Sequence, residues 1–413
     1  MNVKSFVPVK DDNAALENLL NDDFINSRPL PPFDKVSTDF LTAASQKILA
    51  FKGIKKFPEL VALAYWLRKS NLSSIINSFK KELPADEIIV PRGIAFHIAP
   101  SNVDSIFLYS WALSLLAGNM NVVRISQSAG EQLDLLLDLI YGLADEKIWE
   151  PVASRNIIIT YPRDERINRL ISSISDVRIL WGGDETVQSI KQLPSKPAAK
   201  DISFADKFSY TVINSKKYLS LTEEDKKNLS RQFFNDAYWF DQMACSSPRF
   251  VLFCGGRKQC ESSSSIFWNL LEAELKVRDN RDTIDVAMEK LVYMYESISK
   301  AEEIFPHIKP GKNKPAVLHA DKTEINKFRQ SCGGGFFFEC YIDSLNDLIN
   351  LISRKDQTLT YFGYEPGELR NFAKEVNGSG IDRIVPIGQA LNFSPAWDGY
   401  SLLNELTKRV VII

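Results

Sequence analysis

Histidine is the scarcest chemistry-bearing residue in this 413-residue chain, with only His97, His307 and His319 present. So few imidazoles leave no His-rich metal centre and few candidates for a Ser-His-Asp triad. The five cysteines, Cys245, Cys254, Cys260, Cys332 and Cys340, are odd in number and lack CxxC spacing. That excludes a zinc site or a disulfide framework and points to reduced thiols, so no metal is expected. An excess of one charge is missing too: the net charge is −2 and there is no long basic run. Neither nucleic acid nor an anionic membrane surface is the expected partner. Residues 105–123 carry no charge. Serines interrupt them, however, and Gly118-Asn119 cuts the run at about fifteen helical residues, short of the ~20 a membrane span needs. No GxGxxG fingerprint exists, which excludes the ordinary Rossmann phosphate loop. Met1-Asn2-Val3-Lys4 shows no signal-peptide apolar region, so the expectation is a cytoplasmic protein.

What is present is ordinary in bulk, with 45% hydrophobic and 25% charged residues and a length that allows two cores. Residues 12–81 show apolar residues at three-to-four spacing and read as mostly helical. From residue 88 strands and helices alternate. The key unit spans residues 91–128: a buried strand at 93–98 between Pro91 and Pro100, a break at Ala99-Pro100-Ser101-Asn102, and an apolar helix over 103–117. Gly118-Asn119 stops that helix and a second strand follows at 121–125. A second alternating block covers residues 249–376, including a helix expected over 345–352. Such alternation indicates βαβ units and doubly wound parallel sheets, with a domain boundary near 205–220.

Three places are suited to chemistry. Asn102 falls where a strand's carboxyl end meets a helix N-terminus, the position at which open parallel sheets bind ligands. Its side-chain amide can donate to a developing oxyanion, or it is a simple helix cap. Gly182-Gly183-Asp184 follows an apolar strand and either opens a helix against a pyrophosphate or makes a tight turn. Cys245 lies in a small polar loop, Asp241-Gln242-Met243-Ala244-Cys245-Ser246-Ser247-Pro248-Arg249, where a thiolate would be accessible. Against that stands the small buried hydrophobe that a lone cysteine usually is. His97, on a buried strand, reads as a satisfied core histidine.

Together these segments resemble the aldehyde dehydrogenase superfamily, and within it the LuxC-type acyl-CoA reductase (fatty acid reductase) family. His97-Ile98-Ala99-Pro100-Ser101-Asn102 resembles the superfamily's oxyanion loop. Leu116-Ala117-Gly118-Asn119 through Val123-Arg124 resembles its cofactor strand, and Leu180-Trp181-Gly182-Gly183-Asp184-Glu185-Thr186 its glycine turn. Asp241-Gln242 to Cys245 with Arg249 resembles its nucleophile loop. The run from Ile381-Asp382-Arg383 to Trp397-Asp398-Gly399-Tyr400 resembles the reductase family in particular.

The resemblance runs from about Pro91 to the C-terminus and implies an aldehyde-dehydrogenase-like α/β fold of two Rossmann-like parallel-sheet domains, preceded by the helical lead-in that the periodicity indicates. Residues 1–85 would be that lead-in, packed on the cofactor domain, and 86–210 the nicotinamide-binding domain. Residues 211–380 would form the catalytic domain, with 381–413 returning to the cofactor cleft. Cys245 becomes the implied nucleophile and Asn102 the oxyanion donor. Pro100, Ser101, Arg124, Ser126, Gln127, Gly182, Gly183 and Thr186 become the implied cofactor contacts. The implied reaction reduces an acyl-CoA to an aldehyde through a Cys245 acyl-enzyme, with CoA released. A homo-oligomer and an acyl-transferring protein partner are implied as well.

Two departures refine this. The place of the general-base Glu of hydrolytic aldehyde dehydrogenases is taken by Ser203-Phe204-Ala205-Asp206-Lys207-Phe208-Ser209, without a Glu, which favours reduction over hydrolysis. Gln127 stands where NAD-preferring relatives often carry a ribose-binding Glu, so with Arg124 the expected cofactor is NADPH. The competing readings are an acyl-phosphate reductase and an acyltransferase that moves no hydride.

Overall fold

Apolar strands that run parallel must be covered on both faces, and the chain does this twice. A computed structural model describes residues 1–100, 106–127, 130–279 and 282–413. It divides into a first unit, Met1–Asp206 with Phe393–Ile413, and a second, Lys207–Asn392.

The first unit's seven-stranded sheet runs in the order Asp11–Ala15, Asn2–Val7, Asn156–Thr160, Met120–Ile125, Ile94–Ile98, Val177–Trp181, Lys200–Phe204. Its last five strands are parallel. The chain enters this parallel block at Ile94–Ile98, steps outward on one side, then crosses to the other at Val177–Trp181. That reversal makes a switch point, where ligands bind at the strands' carboxyl ends.

The second unit's sheet runs Ile304–Ile308, Ala316–Ala320, Phe336–Ile342, Phe250–Cys254, Phe208–Asn214, Asp356–Phe362, Arg383–Pro386. Only the edge strand Ile304–Ile308 is antiparallel to its neighbour.

Three features depart from the sequence reading. The lead-in does contain helices at Lys35–Ala50, Pro58–Trp66 and Lys69–Lys81, but it opens with a hairpin whose strand Asn2–Val7 joins the sheet. Val3, Phe6 and Val7 are its buried apolar residues, too short a signal to separate from a helix start. The run 345–352 forms a single turn, Leu345–Leu348. There Ser353 N donates to Asp356 Oδ2 at 2.7 Å and turns the chain into the next strand. The closing segment is divided: residues up to Asn392 belong to the second unit and Phe393–Ile413 to the first. In the first unit Thr407–Val411 pairs with Glu87–Pro91 in a separate two-stranded ribbon.

Every residue of the helix Ile106–Leu116 is buried, so it has no wet face to mark its register. Polar side chains set it instead. His97 Nδ1 lies 2.9 Å from Ser110 Oγ, and His97 Nε2 3.0 Å from Asn121 Oδ1. Asn121 Nδ2 and Trp111 Nε1 both donate to Asn156 Oδ1, at 2.8 and 2.6 Å. Burial lowers the His97 pKa to about 4, so this imidazole is a neutral structural link. Replacing Asn156 by Leu strands both donors and should cost about 3 kcal/mol of stability, read as a lower urea midpoint.

In the second unit, Glu339 is buried between sheet and helix. Its Oε1 meets His307 Nδ1 at 2.6 Å and His319 Nδ1 at 3.1 Å, while Oε2 accepts from Ser264 Oγ and Trp268 Nε1. Burial alone would raise its carboxyl pKa, yet these hydrogen bonds hold it at about 2. His307 is raised in turn by its bond to Glu339. The carboxylate's contribution is lost as pH falls toward about 2, and the imidazolium's is lost as pH rises through the raised His307 value. Urea stability should therefore decline as pH rises from the ordinary histidine value of about 6.5 through the raised His307 value, and His307→Gln should remove that part of the decline.

Candidate functional site

Three adjacent strands of the first unit end at Ile98, Ile125 and Trp181, and the expected cofactor residues follow those ends. Pro100 is half-buried just beyond the first. Ser101 and Asn102 lie outside the described residues. Ser126 is half-buried and Gln127 exposed beyond the second. A cavity of about 530 Å³ opens beside these ends, with Ile98, Arg124, Arg163, Asp164, Arg169 and Thr186 among its walls. The Arg124 guanidinium lies 5.1 Å from the Tyr161 ring centroid. Its Nε is buried and has no hydrogen-bond partner among the described residues. A buried cationic donor left open at a switch point fits an anionic or hydroxylated part of a dinucleotide.

Arg163 and Arg169 were not anticipated. Arg163 follows the end of the neighbouring strand Asn156–Thr160, so the same strand-end rule would have found it. The acidic residues beside them are engaged: Asp164 pairs with Arg166 at 2.8 Å and Glu165 with Arg169 at 2.5 Å.

Gly183 is the N-cap of the helix Asp184–Lys191. A Cβ on Gly182 would come within 3.3 Å of the Thr186 side chain, so glycine permits the approach that sets Thr186 into the cavity wall. The helix's first turn is acidic, carrying Asp184 and Glu185, and Asp184 N donates to Asp206 Oδ2 at 3.3 Å. Positive charge in this unit's cavity therefore comes from the arginines and not from the glycine turn. Beside it, Trp181 stacks on Phe204 at 3.7 Å, and Tyr109 stacks on Phe393 of the closing segment.

In the second unit, the loop before Phe250–Cys254 carries Cys245. The thiol residue is half-buried, whereas Ala244, Ser246 and Ser247 around it are buried. Polar groups tie the loop down on both sides. Ser209 Oγ donates to Cys245 O at 2.6 Å and accepts from Thr358 N at 3.2 Å. Ser247 Oγ donates to Asp236 O at 2.8 Å. Asp236 in turn accepts from Gly388 N and Ala390 N at 2.6 and 2.9 Å, and burial pushes its carboxyl up to about 7 despite those bonds. Ser209 and Asp236 were missed because neither has a motif of its own, and their partners Thr358, Gly388 and Ala390 are remote in sequence.

The loop also leans on a turn of three glycines. Gly333, Gly334 and Gly335 all have φ between 64° and 77°, the left-handed region that glycine enters without strain. Gly334 N donates to Asp241 O at 2.8 Å. A Cβ on Gly335 would stand 2.2 Å from Tyr238 Oη.

The remaining cysteines are set apart by their surroundings. Cys254, Cys260 and Cys340 are buried, and burial raises the pKa of each thiol. Cys332 is half-buried, yet burial pushes its thiol up to about 12. Four of the five thiols are thus held neutral and suited to packing.

A family model described as acyl-CoA reductase (LuxC) matches residues 41–409. A long-chain acyl-protein thioester reductase of Aliivibrio fischeri is 22% identical over 331 residues, covering 78% of this chain. The chain spans 64% of the length of that relative. Among solved structures, the NADP complex of glyceraldehyde-3-phosphate dehydrogenase GapN from Methanocaldococcus jannaschii superposes with a TM-score of 0.67 at 15% identity, covering 100% of this chain and 98% of that one. Methylmalonate-semialdehyde dehydrogenase of Oceanimonas doudoroffii gives 0.68 at 10% identity, with 100% and 94% covered. Proline utilization A of Bradyrhizobium japonicum gives 0.66 at 14% identity over 96% of this chain, which spans 44% of that larger chain. These likenesses establish the aldehyde-dehydrogenase type of α/β fold, and the match over residues 41–409 places the chain in the LuxC family of acyl-CoA reductases, a family of acyl-reducing oxidoreductases.

Proposed function

We propose that this chain reduces a long-chain acyl thioester to the aldehyde with NADPH, through an acyl-enzyme on Cys245. The observation that carries the reading is the loop before the central strand Phe250–Cys254. There Cys245 stands half-buried and is held in place by polar groups on both sides. The Cys245 thiolate attacks the acyl carbonyl, a new carbon–sulfur bond forms, and the donor's thiolate leaves and takes up a proton. Asn102 is assigned the oxyanion on its place in the sequence, after the strand Ile94–Ile98.

Residues 203–209 carry no Glu, and their one carboxylate, Asp206, is exposed. Asp206 accepts from Asp184 N, and Ser209 is spent on Cys245 O and Thr358 N. An acyl-enzyme guarded from hydrolysis is what a reductase needs. Bound at the first unit's cavity, a reduced nicotinamide dinucleotide supplies the hydride. Arg124 and Arg163 would hold its 2′-phosphate, with Gln127 placing no carboxylate against it, while Pro100, Ser101, Ser126, Gly182, Gly183 and Thr186 would shape the remaining contact. The relative's description as an acyl-protein thioester reductase supports a second donor besides acyl-CoA. We accordingly propose a protein partner that delivers the acyl group.

Cys245→Ala should remove CoA release entirely while leaving melting unchanged, measured with a long-chain acyl-CoA; residual turnover near wild type contradicts the mechanism. Arg124→Ala should weaken NADPH binding about 10- to 100-fold, the worth of a charge-assisted hydrogen bond, and weaken NADH less. Equal losses for both cofactors would remove Arg124 from the 2′-phosphate. Gln127→Glu should shift the preference toward NADH in a direct binding titration.

A further inference from the structure

Gln242 lies three residues before Cys245 and is fully buried. Its side-chain amide uses its whole hydrogen-bonding capacity. Nε2 donates to Pro248 O at 2.9 Å and Phe336 O at 2.8 Å, and Oε1 accepts from Gly335 N at 3.1 Å and Phe336 N at 2.9 Å. One planar group therefore closes the loop from residue 242 to residue 248 around Cys245. The same group fastens that loop to the end of the triglycine turn.

The backbone shows that this arrangement is enforced. Asp241 has φ 47° and Gln242 φ 62°, both left-handed in residues that carry a Cβ. Each such conformation costs about 1 kcal/mol or more and persists only where the surroundings over-determine it. Packing alone gives no reason for an amide here, since methionine has the same length and no desolvation cost.

We propose that Gln242 is the positioning residue of the reaction, holding the loop so that Cys245 Sγ meets the acyl carbonyl in attacking geometry. This rests on Cys245 being the nucleophile. Gln242 touches no substrate; it acts through the backbone on both sides of Cys245. Misplacing a reacting atom by about 1 Å can cost 100-fold in rate, whereas alkylation by a small mobile reagent requires no such orientation.

The test compares Gln242→Glu and Gln242→Met in the full chain. A neutral Glu side chain restores one O–H donor for the two carbonyls, but an ionised one turns a negative oxygen toward both Pro248 O and Phe336 O, where Nε2 had donated. Release of CoA from a long-chain acyl-CoA without nicotinamide reads acylation, and iodoacetamide reads the thiol itself. The expected result is acylation about 100-fold slower in both variants at pH 8, with alkylation near the wild-type rate. In the Glu variant alone the deficit should shrink as pH falls, which loosened packing would not produce. A folded variant of either kind that acylates at the wild-type rate overturns the proposal, and the Met variant is decisive if the Glu variant melts below assay temperature. Cys245→Ala separates the two levels. If it still releases CoA, the nucleophile reading fails; if it is inactive while the Gln242 variants are fast, only the positioning role fails.

Discussion

Parallel strands buried on both faces leave the chain few places to put polar chemistry. Inside each sheet the backbone groups are consumed by the ladder and the side chains by the core. The strand ends are the exception, because there the backbone leaves the sheet and its N–H and C=O groups need other partners. The first unit places its cavity, Arg124 and Thr186 at carboxyl ends. In the second unit Cys245 sits in the loop that enters a central strand.

Both units lock their strands and loops with buried polar side chains as well as with apolar packing. His97, Asn121 and Asn156 join strands and helix in the first. Gln242, Ser209 and Asp236 surround the thiol loop in the second. Buried amides and carboxylates are costly unless every donor and acceptor is met, so a fully bonded set specifies one arrangement where an apolar core would tolerate several. The strained backbone at Asp241 and Gln242 follows from the same requirement.

Much of the architecture was legible because periodicity reports it directly. The apolar runs ending at Ile98, Ile125 and Trp181 mark the first unit's central strands, with Pro100 and Gly182 just beyond the first and third. The hairpin at Asn2–Val7 escaped because an edge strand needs only one apolar face and a few buried residues. The candidate site was partly legible: Cys245, Arg124 and the glycine turn stood out by motif, with Asn102 outside the described residues. Ser209, Asp236 and Arg163 act through contacts that join residues far apart in sequence or through strand-end placement. Gln242 was visible as part of a motif, but its four hydrogen bonds reach as far as Phe336, and no local pattern encodes that.

The central claim is that Cys245 carries the acyl group. Mass spectrometry of the full chain incubated with a long-chain acyl-CoA in the absence of nicotinamide tests it most directly. The account predicts a mass increase of one acyl group, located on the peptide that contains Cys245. An unmodified chain, or an acyl group found on any of the other four cysteines, would contradict it.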